Sequence, residues 1–195
     1  LEIKNLSKIY HTKEKETLAL ENISFNIKEK EFISLVGPSG CGKSTILTIL
    51  ANIIKDYKGT IKYSKNNPKI GYMLQEDSLF PWKTVLENAC LGLEIKKELN
   101  KETKQNVINL LNKYGLKDFI NSYPSSLSGG LKQRVALIRT LAINPDILLL
   151  DEPFSALDYQ TRLALSDDLK NIINEENKTT IMVTHDITEA ISMSD

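Results

Sequence analysis

The chain has 195 residues, 41% hydrophobic and 26% charged, the composition of a folded globular domain and not of a disordered segment. Lys and Arg total 25 and Asp and Glu total 25, so the formal net charge is +0 and DNA binding driven by bulk positive charge loses its main support. No uninterrupted apolar stretch approaches the ~20 residues of a membrane-spanning helix, so a membrane role would run through a partner. Cys41 and Cys90 are too few for a disulfide scaffold and carry no metal-type spacing, which fits a reducing compartment. No signal peptide is visible, and Leu1 already reads as strand, so the pattern is expected to begin upstream of it.

Ile23, Phe25 and Ile27 alternate with polar residues, the period of a half-buried strand. Phe32-Ile33-Ser34-Leu35-Val36 is a nearly continuous apolar run, expected as a strand covered on both faces in a parallel sheet. A glycine-rich turn follows, then a helical stretch over 44–54, and strands are expected over 60–63 and 70–74. Residues 87–126 are rich in Lys, Glu and Asn at helical spacing. Within them Val107, Leu110, Leu111 and Tyr114 form one apolar face, and Gly115 is a helix stop. This segment reads as a helical subdomain inserted into an α/β core made of 1–86 and 127–195. Strands return over 147–150 and 179–183, and helices follow Gly129, Tyr159 and Ile187. The alternation predicts a mostly parallel sheet, with ligands at the carboxyl ends of its strands.

Gly37-Pro38-Ser39-Gly40-Cys41-Gly42-Lys43-Ser44-Thr45 matches G-x-x-x-x-G-K-[ST], between a buried strand and a helix as a phosphate-binding loop requires. Glycines let the backbone wrap a phosphate with its N–H groups turned inward, and the helix N-terminus favours an anion. Lys43 is expected to reach the β- and γ-phosphates, and the Ser44 hydroxyl to ligate Mg2+.

The apolar run over 147–150 ends in Asp151-Glu152. Asp151 is expected in the metal shell through water, and Glu152 as the base that polarises an attacking water. Taken alone, the pair also fits a solvated strand-to-loop boundary. His185 follows the next apolar strand. Alone it would read as structural, but beside the acids it is placed to contact the γ-phosphate and orient Glu152 or the water. Gln75 closes the strand over 70–74, where a neutral amide can touch Mg2+ or water without adding charge.

Leu127-Ser128-Gly129-Gly130-Leu131-Lys132-Gln133-Arg134 opens a helix and closely resembles the LSGGQ signature of ABC-type ATPases. The order of the phosphate loop, Gln75, this segment, Asp151-Glu152, Ser155-Ala156-Leu157-Asp158 and His185 agrees with that family along nearly the whole chain. The resemblance implies a P-loop NTPase with a RecA-like core, an ABC-type N-terminal β-subdomain and an inserted helical subdomain. It implies ATP and Mg2+, and two copies paired head-to-tail. Each ATP then lies between one phosphate loop, Gly37, Ser39, Gly40, Cys41, Gly42, Lys43, Ser44 and Thr45, and the partner's Ser128, Gly129 and Gly130, with the Asp158 loop crossing the interface. Tyr10 resembles the aromatic that stacks on adenine, although an early Tyr is also an ordinary strand residue. Leu131 departs from the usual Gln of the signature, for which reduced or retuned activity is expected.

The stretch Gln75-Glu76-Asp77-Ser78-Leu79-Phe80-Pro81-Trp82-Lys83-Thr84-Val85-Leu86-Glu87-Asn88 resembles ATPase subunits of nitrate/sulfonate/taurine-type importers. Phe80, Pro81 and Trp82 would dock a helix of a membrane subunit, or form a core cluster where two subdomains join. The implied partners are integral membrane permease subunits and, indirectly, an extracytoplasmic solute-binding protein, with no nucleic acid. The implied location is peripheral, on the cytoplasmic face of the membrane. A soluble ABC ATPase uncoupled from transport and an exporter or lipoprotein-release subunit are the alternatives. A catalytically silent nucleotide switch is disfavoured by Glu152 and His185. Family members usually continue past the position of Asp195, so the domain is expected to be truncated at its end.

Overall fold

The computed structural model describes residues 1–11, 15–155 and 157–194; Ala156 of the Ser155-Ala156-Leu157-Asp158 stretch and the terminal Asp195 lie outside them. The alternating strands β1 (Glu2–His11), β2 (Glu16–Asn26) and β4 (Lys58–Lys62) pair antiparallel in the order β2-β1-β4. The apolar runs β3 (Phe32–Val36), β5 (Ile70–Met73), β6 (Ile147–Asp151) and β7 (Thr179–Thr184) form a separate, wholly parallel sheet in the order β3-β7-β6-β5. The helices are α1 (Lys43–Leu50), α2 (Val85–Ile95), α3 (Lys101–Lys113), α4 (Gly129–Leu141), α5 (Tyr159–Glu176) and α6 (Ile187–Met193).

Every residue of β6 and β7 is buried, as expected for inner parallel strands. Phe32–Val36 departs from the expectation of cover on both faces. It lies at the edge of its sheet, Ile33, Ser34 and Leu35 are half-buried, and Val36 is exposed. An apolar run reports hydrophobicity, but strand order decides which strand is flanked. The expected helix over 44–54 is also shorter, because α1 stops at Leu50 and Asn52 takes a left-handed φ of 58° just beyond it.

Alternation along the inner strands builds two cores on opposite faces of one sheet. Leu148, Leu150 and Met182 pack with Val85, Ala89, Leu111, Leu137 and Leu169 from the helices. Leu149, Ile181 and Val183 pack with Leu47 and Leu50 of α1 and with Ile3 and Leu6 of the antiparallel sheet. Each such side chain contributes roughly 1.5–3 kcal/mol. In α3, Val107 and Leu111 are buried, Leu110 and Tyr114 pack partly against the same core, and Gly115 turns the chain at φ 76°.

The helical segment begins at Val85, with Thr84 and Glu87 closing a capping box. Just inside it, the fully buried Asn88 fastens the preceding loop. Its Nδ2 lies 3.1, 2.9 and 3.0 Å from the carbonyls of Phe80, Lys83 and Thr84, and its Oδ1 accepts from the Phe80 N–H at 2.8 Å. Asn88→Ala removes the partner of the Phe80 N–H and of the Lys83 carbonyl, at about 1–3 kcal/mol apiece before relaxation, while the Phe80 and Thr84 carbonyls keep backbone bonds from Lys83 and residue 88. Urea unfolding should show a loss of about 2–4 kcal/mol. Trp82, the only tryptophan, should report the loosened loop by a changed emission maximum in the folded state.

Candidate active site

The loop after β3 turns at Gly40 (φ 79°) and Gly42 (φ 98°) and runs directly into α1. Gly42 is both left-handed and crowded, since a Cβ there would fall 2.3 Å from the Ala19 carbonyl oxygen. Lys43 is buried, and its ammonium donates to the carbonyls of Gly37 (2.7 Å) and Pro38 (2.9 Å), with the Cys41 sulfur at 3.9 Å. The charge therefore sits inside the loop. Ser39 and Cys41 lie on its exposed rim. The N-cap of α1 is Gly42, and no side chain caps this helix. The helices α2 to α6 are capped by the side chains of Thr84, Asn100, Ser128, Asp158 and Asp186. The first-turn N–H groups of α1 are thus left for something else.

The parallel register brings three chain segments to the same sheet edge. Met73 pairs with Leu150 and Asp151 with Val183, so the residues after each strand meet. The Ser44 hydroxyl donates to Asp151 Oδ1 at 2.8 Å, and the Tyr72 phenol to Oδ2 at 2.9 Å. Burial, and then the neighbouring Asp151 charge, push the Tyr72 phenol well above its usual pKa, so it stays a donor. Glu152 takes φ 43°, a conformation disfavoured for a side chain of its kind, while its N–H still bonds the Val183 carbonyl at 2.9 Å. Its Oε2 lies 3.1 Å from His185 Nδ1 and accepts from Gln75 Nε2 at 3.3 Å. Glu152, His185 and Gln75 form one cluster, and Ser44 with Asp151 forms the adjoining one.

Ser128 caps α4, its hydroxyl accepting from the Leu131 N–H at 3.4 Å, and Asp158 caps α5 by accepting from the Thr161 N–H at 3.0 Å. That bonding to Thr161 holds the Asp158 carboxyl below its usual range. The two helix starts adjoin: a Cβ on Gly129 would sit 3.0 Å from Leu157, and one on Gly130 3.2 Å from Thr161. The hydrogen bonds of Ser128 and Asp158 close on their own helices, so neither is joined to the phosphate loop within this chain. Tyr10 reaches the loop from β1, its hydroxyl 3.4 Å from Thr45 Oγ1. Leu131 is half-buried and packs on the helical core.

Sequence reading missed Tyr72, which the period-2 register of β5 turns toward the strand-end acids. It also missed Arg139, whose guanidinium donates to the carbonyls of Asp77 (2.6 Å) and Ser78 (2.8 Å) and so ties the segment after Gln75 to α4. Alternation along a strand signals the first; no local pattern signals the second.

A glycine-turned loop opening an uncapped helix, a buried lysine and a strand-end carboxylate cluster together define a phosphate-loop nucleotide site. Residues 20–155 match the family model described as ABC transporter. An uncharacterised ABC transporter ATP-binding protein of Bacillus subtilis is 47% identical over 200 residues, covering 100% of this chain and 77% of that protein. The aliphatic sulfonates import ATP-binding protein SsuB of Bacillus cereus is 42% identical over 197 residues, covering 98% of this chain and 77% of that protein. Among solved structures, a dimeric ATP-binding cassette in a post-hydrolysis state bound to ADP and Pi superposes with a TM-score of 0.79 at 37% identity, covering 97% of this chain and 89% of that one. The chain belongs to the ABC transporter family, as an ATP-binding cassette with ATPase activity.

Gly40 and Gly42 separate conformational need from steric need. A Cβ on Gly40 meets nothing within 4 Å, so Gly40→Ala should cost only the left-handed backbone term of about 1–2 kcal/mol. Gly42→Ala adds the clash with Ala19 and should cost about 2–4 kcal/mol. Urea unfolding of the two variants without nucleotide measures the difference.

Proposed function

We propose that this chain is the ATP-hydrolysing subunit of an importer for a small anion of the sulfonate, nitrate or taurine kind. It would work as a head-to-tail pair on the cytoplasmic face of a membrane, coupled to permease subunits. The observation that carries the nucleotide role is the contrast among helix starts: α2 to α6 are capped by their own side chains, and α1, beside Lys43 and the strand-end acids, is not. Phosphate oxygens would take the N–H groups that no side chain satisfies. Identity with sulfonate import proteins and the 75–88 stretch support the import reading.

The Ser44 hydroxyl, the Asp151 carboxylate and the Gln75 amide are neutral or anionic oxygen donors, and Ser44 and Asp151 already touch, a set that fits a hard divalent cation. Mg2+ held there would neutralise charge on the β- and γ-phosphates. Lys43 would bind the same phosphates from inside the loop, and Tyr10 would carry the adenine. Glu152 would accept a proton from the attacking water, with His185 and Gln75 holding its Oε2 in place. Ser128, Gly129 and Gly130 would receive the γ-phosphate held by the other copy, because in their own chain the bonds of Ser128 turn back on α4. The dimeric structural relatives support that arrangement.

Glu152→Gln keeps the shape and removes the base, so single-turnover hydrolysis should fall by roughly 10²–10⁴-fold while ATP affinity survives. Near-normal turnover would remove Glu152 from this role. Trp82 is 69% exposed and stacks tilted on Phe80 at 5.1 Å, which favours a docking surface over a core cluster. Trp82→Ala should leave basal ATPase activity intact and abolish most of the stimulation by reconstituted permease; an equal collapse of both would make Trp82 structural.

A further inference from the structure

In β1 the alternating positions Leu6, Lys8 and Tyr10 lead from the core toward the phosphate loop. Leu6 is fully buried, and Lys8 stands where the alternation asks for another core residue, with only 8% of its surface exposed. A buried ammonium needs compensation. Lys8 has two sources of it. Its Nζ lies 3.0 Å from Asp56 Oδ2, just beyond the end of α1, and 5.2 Å from the centroid of the Tyr10 ring. Asp56 is itself 91% exposed, so the carboxylate is partly screened by water and the π-face supplies part of the balance. The Tyr10 ring is thereby held twice, across one face by the cation and at its hydroxyl by Thr45 at 3.4 Å.

We propose that Lys8 is a positioning residue for nucleotide recognition: it clamps one face of Tyr10 so that the opposite face is a fixed platform for a purine base. A tyrosine at an exposed strand end would otherwise lose rotamer freedom when a base stacks on it. A ring already fixed by Lys8 and Thr45 has little of that cost left. The inference rests on the proposed stacking of adenine on Tyr10. Its consequence is specific to the base, because Lys8 reaches the ring and Asp56 while the phosphate ligands come from Lys43 and the start of α1.

Calorimetric titration of the purified protein with ATP, and separately with inorganic tripolyphosphate, tests it. Lys8→Met should weaken ATP binding about three- to tenfold and leave tripolyphosphate within about twofold of the parent. Lys8→Arg, which keeps a cation able to stack, should restore ATP binding. In a Tyr10→Ala background, Lys8→Met should cause no further loss of ATP affinity. Equal losses for ATP and tripolyphosphate, or the same ATP loss without the Tyr10 ring, would overturn the proposal and make Lys8 a support of the strand alone. If Tyr10→Ala itself binds ATP normally, the stacking reading fails first and takes the Lys8 role with it. Where Lys8→Met does not fold, Lys8→Gln keeps a long polar side chain and removes the cation from the ring. It should show the same ATP-only loss, and its absence would equally overturn the proposal.

Discussion

The register of three parallel strands sets where the candidate site's residues meet. Asp151 and Glu152 leave the end of β6, His185 the end of β7 and Gln75 the end of β5, so their meeting depends on the pairings of Met73 with Leu150 and Asp151 with Val183. A slip of one residue would move a strand end by about 3.3 Å and turn Leu148 and Leu149 to each other's faces. Both faces of β6 and β7 are buried in cores of different composition, one built on the helices and the other on α1 and the antiparallel sheet. Any slip therefore exchanges packing on both sides at once. The precision of a carboxylate 3.1 Å from an imidazole is a by-product of hydrophobic packing several residues away.

Local electrostatics are built against a neutral background. The chain has a formal net charge of +0, yet the loop concentrates the buried Lys43 ammonium, the uncapped N–H groups of α1 and no carboxylate of its own. The acids sit one layer away at the strand ends, where each has neutral or basic neighbours. Asp151 is satisfied by two hydroxyls, and Glu152 by an imidazole and an amide. The hydroxyl of Tyr72 stays protonated because burial and the Asp151 charge both oppose its ionisation. Within the acid cluster the left-handed Glu152 carries backbone strain, and the ladder bond from its N–H to Val183 holds it there.

Much of this was legible in the sequence because its signals are local. The runs that became β6 and β7, the glycine spacing of the phosphate loop and the apolar face of α3 each lie within a dozen residues. The nearness of His185 to the acids followed from one inference, that strands alternating with helices pair in parallel, whereas Gln75, expected at Mg2+ or water, is joined to Glu152 only by the fold. What stayed hidden depends on contacts between distant segments. The edge position of β3 is set by strand order and not by Phe32–Val36 itself. Lys8 reads as an ordinary polar residue until Asp56, 48 positions away, is folded beside it. Arg139 looks like a solvated helix charge until the loop after β5 delivers two carbonyls to it.

That last contact joins parts of the molecule that sequence treats separately. Arg139 lies in the final turn of α4, and the cap of the same helix is Ser128. A helix of 13 residues is a rod of about 20 Å, stiff on the scale of side-chain motion. One end carries the Ser128, Gly129 and Gly130 backbone, and the other grips Asp77 and Ser78 between Gln75 and Trp82. Asn88 anchors the far side of that loop to α2, which packs along α4. A displacement of the Phe80–Trp82 surface would strain the bonds of the buried Asn88 and the half-buried Arg139 that tie this loop to α2 and α4. Asn88 is shielded from water, so its amide left without partners would cost about 1–3 kcal/mol, whereas water can replace the accessible Arg139 bonds. α4 is itself packed into the core through Val135, Leu137, Ile138 and Leu141, so bonds at one end and burial along its length tie the loop to the helix that begins at Ser128.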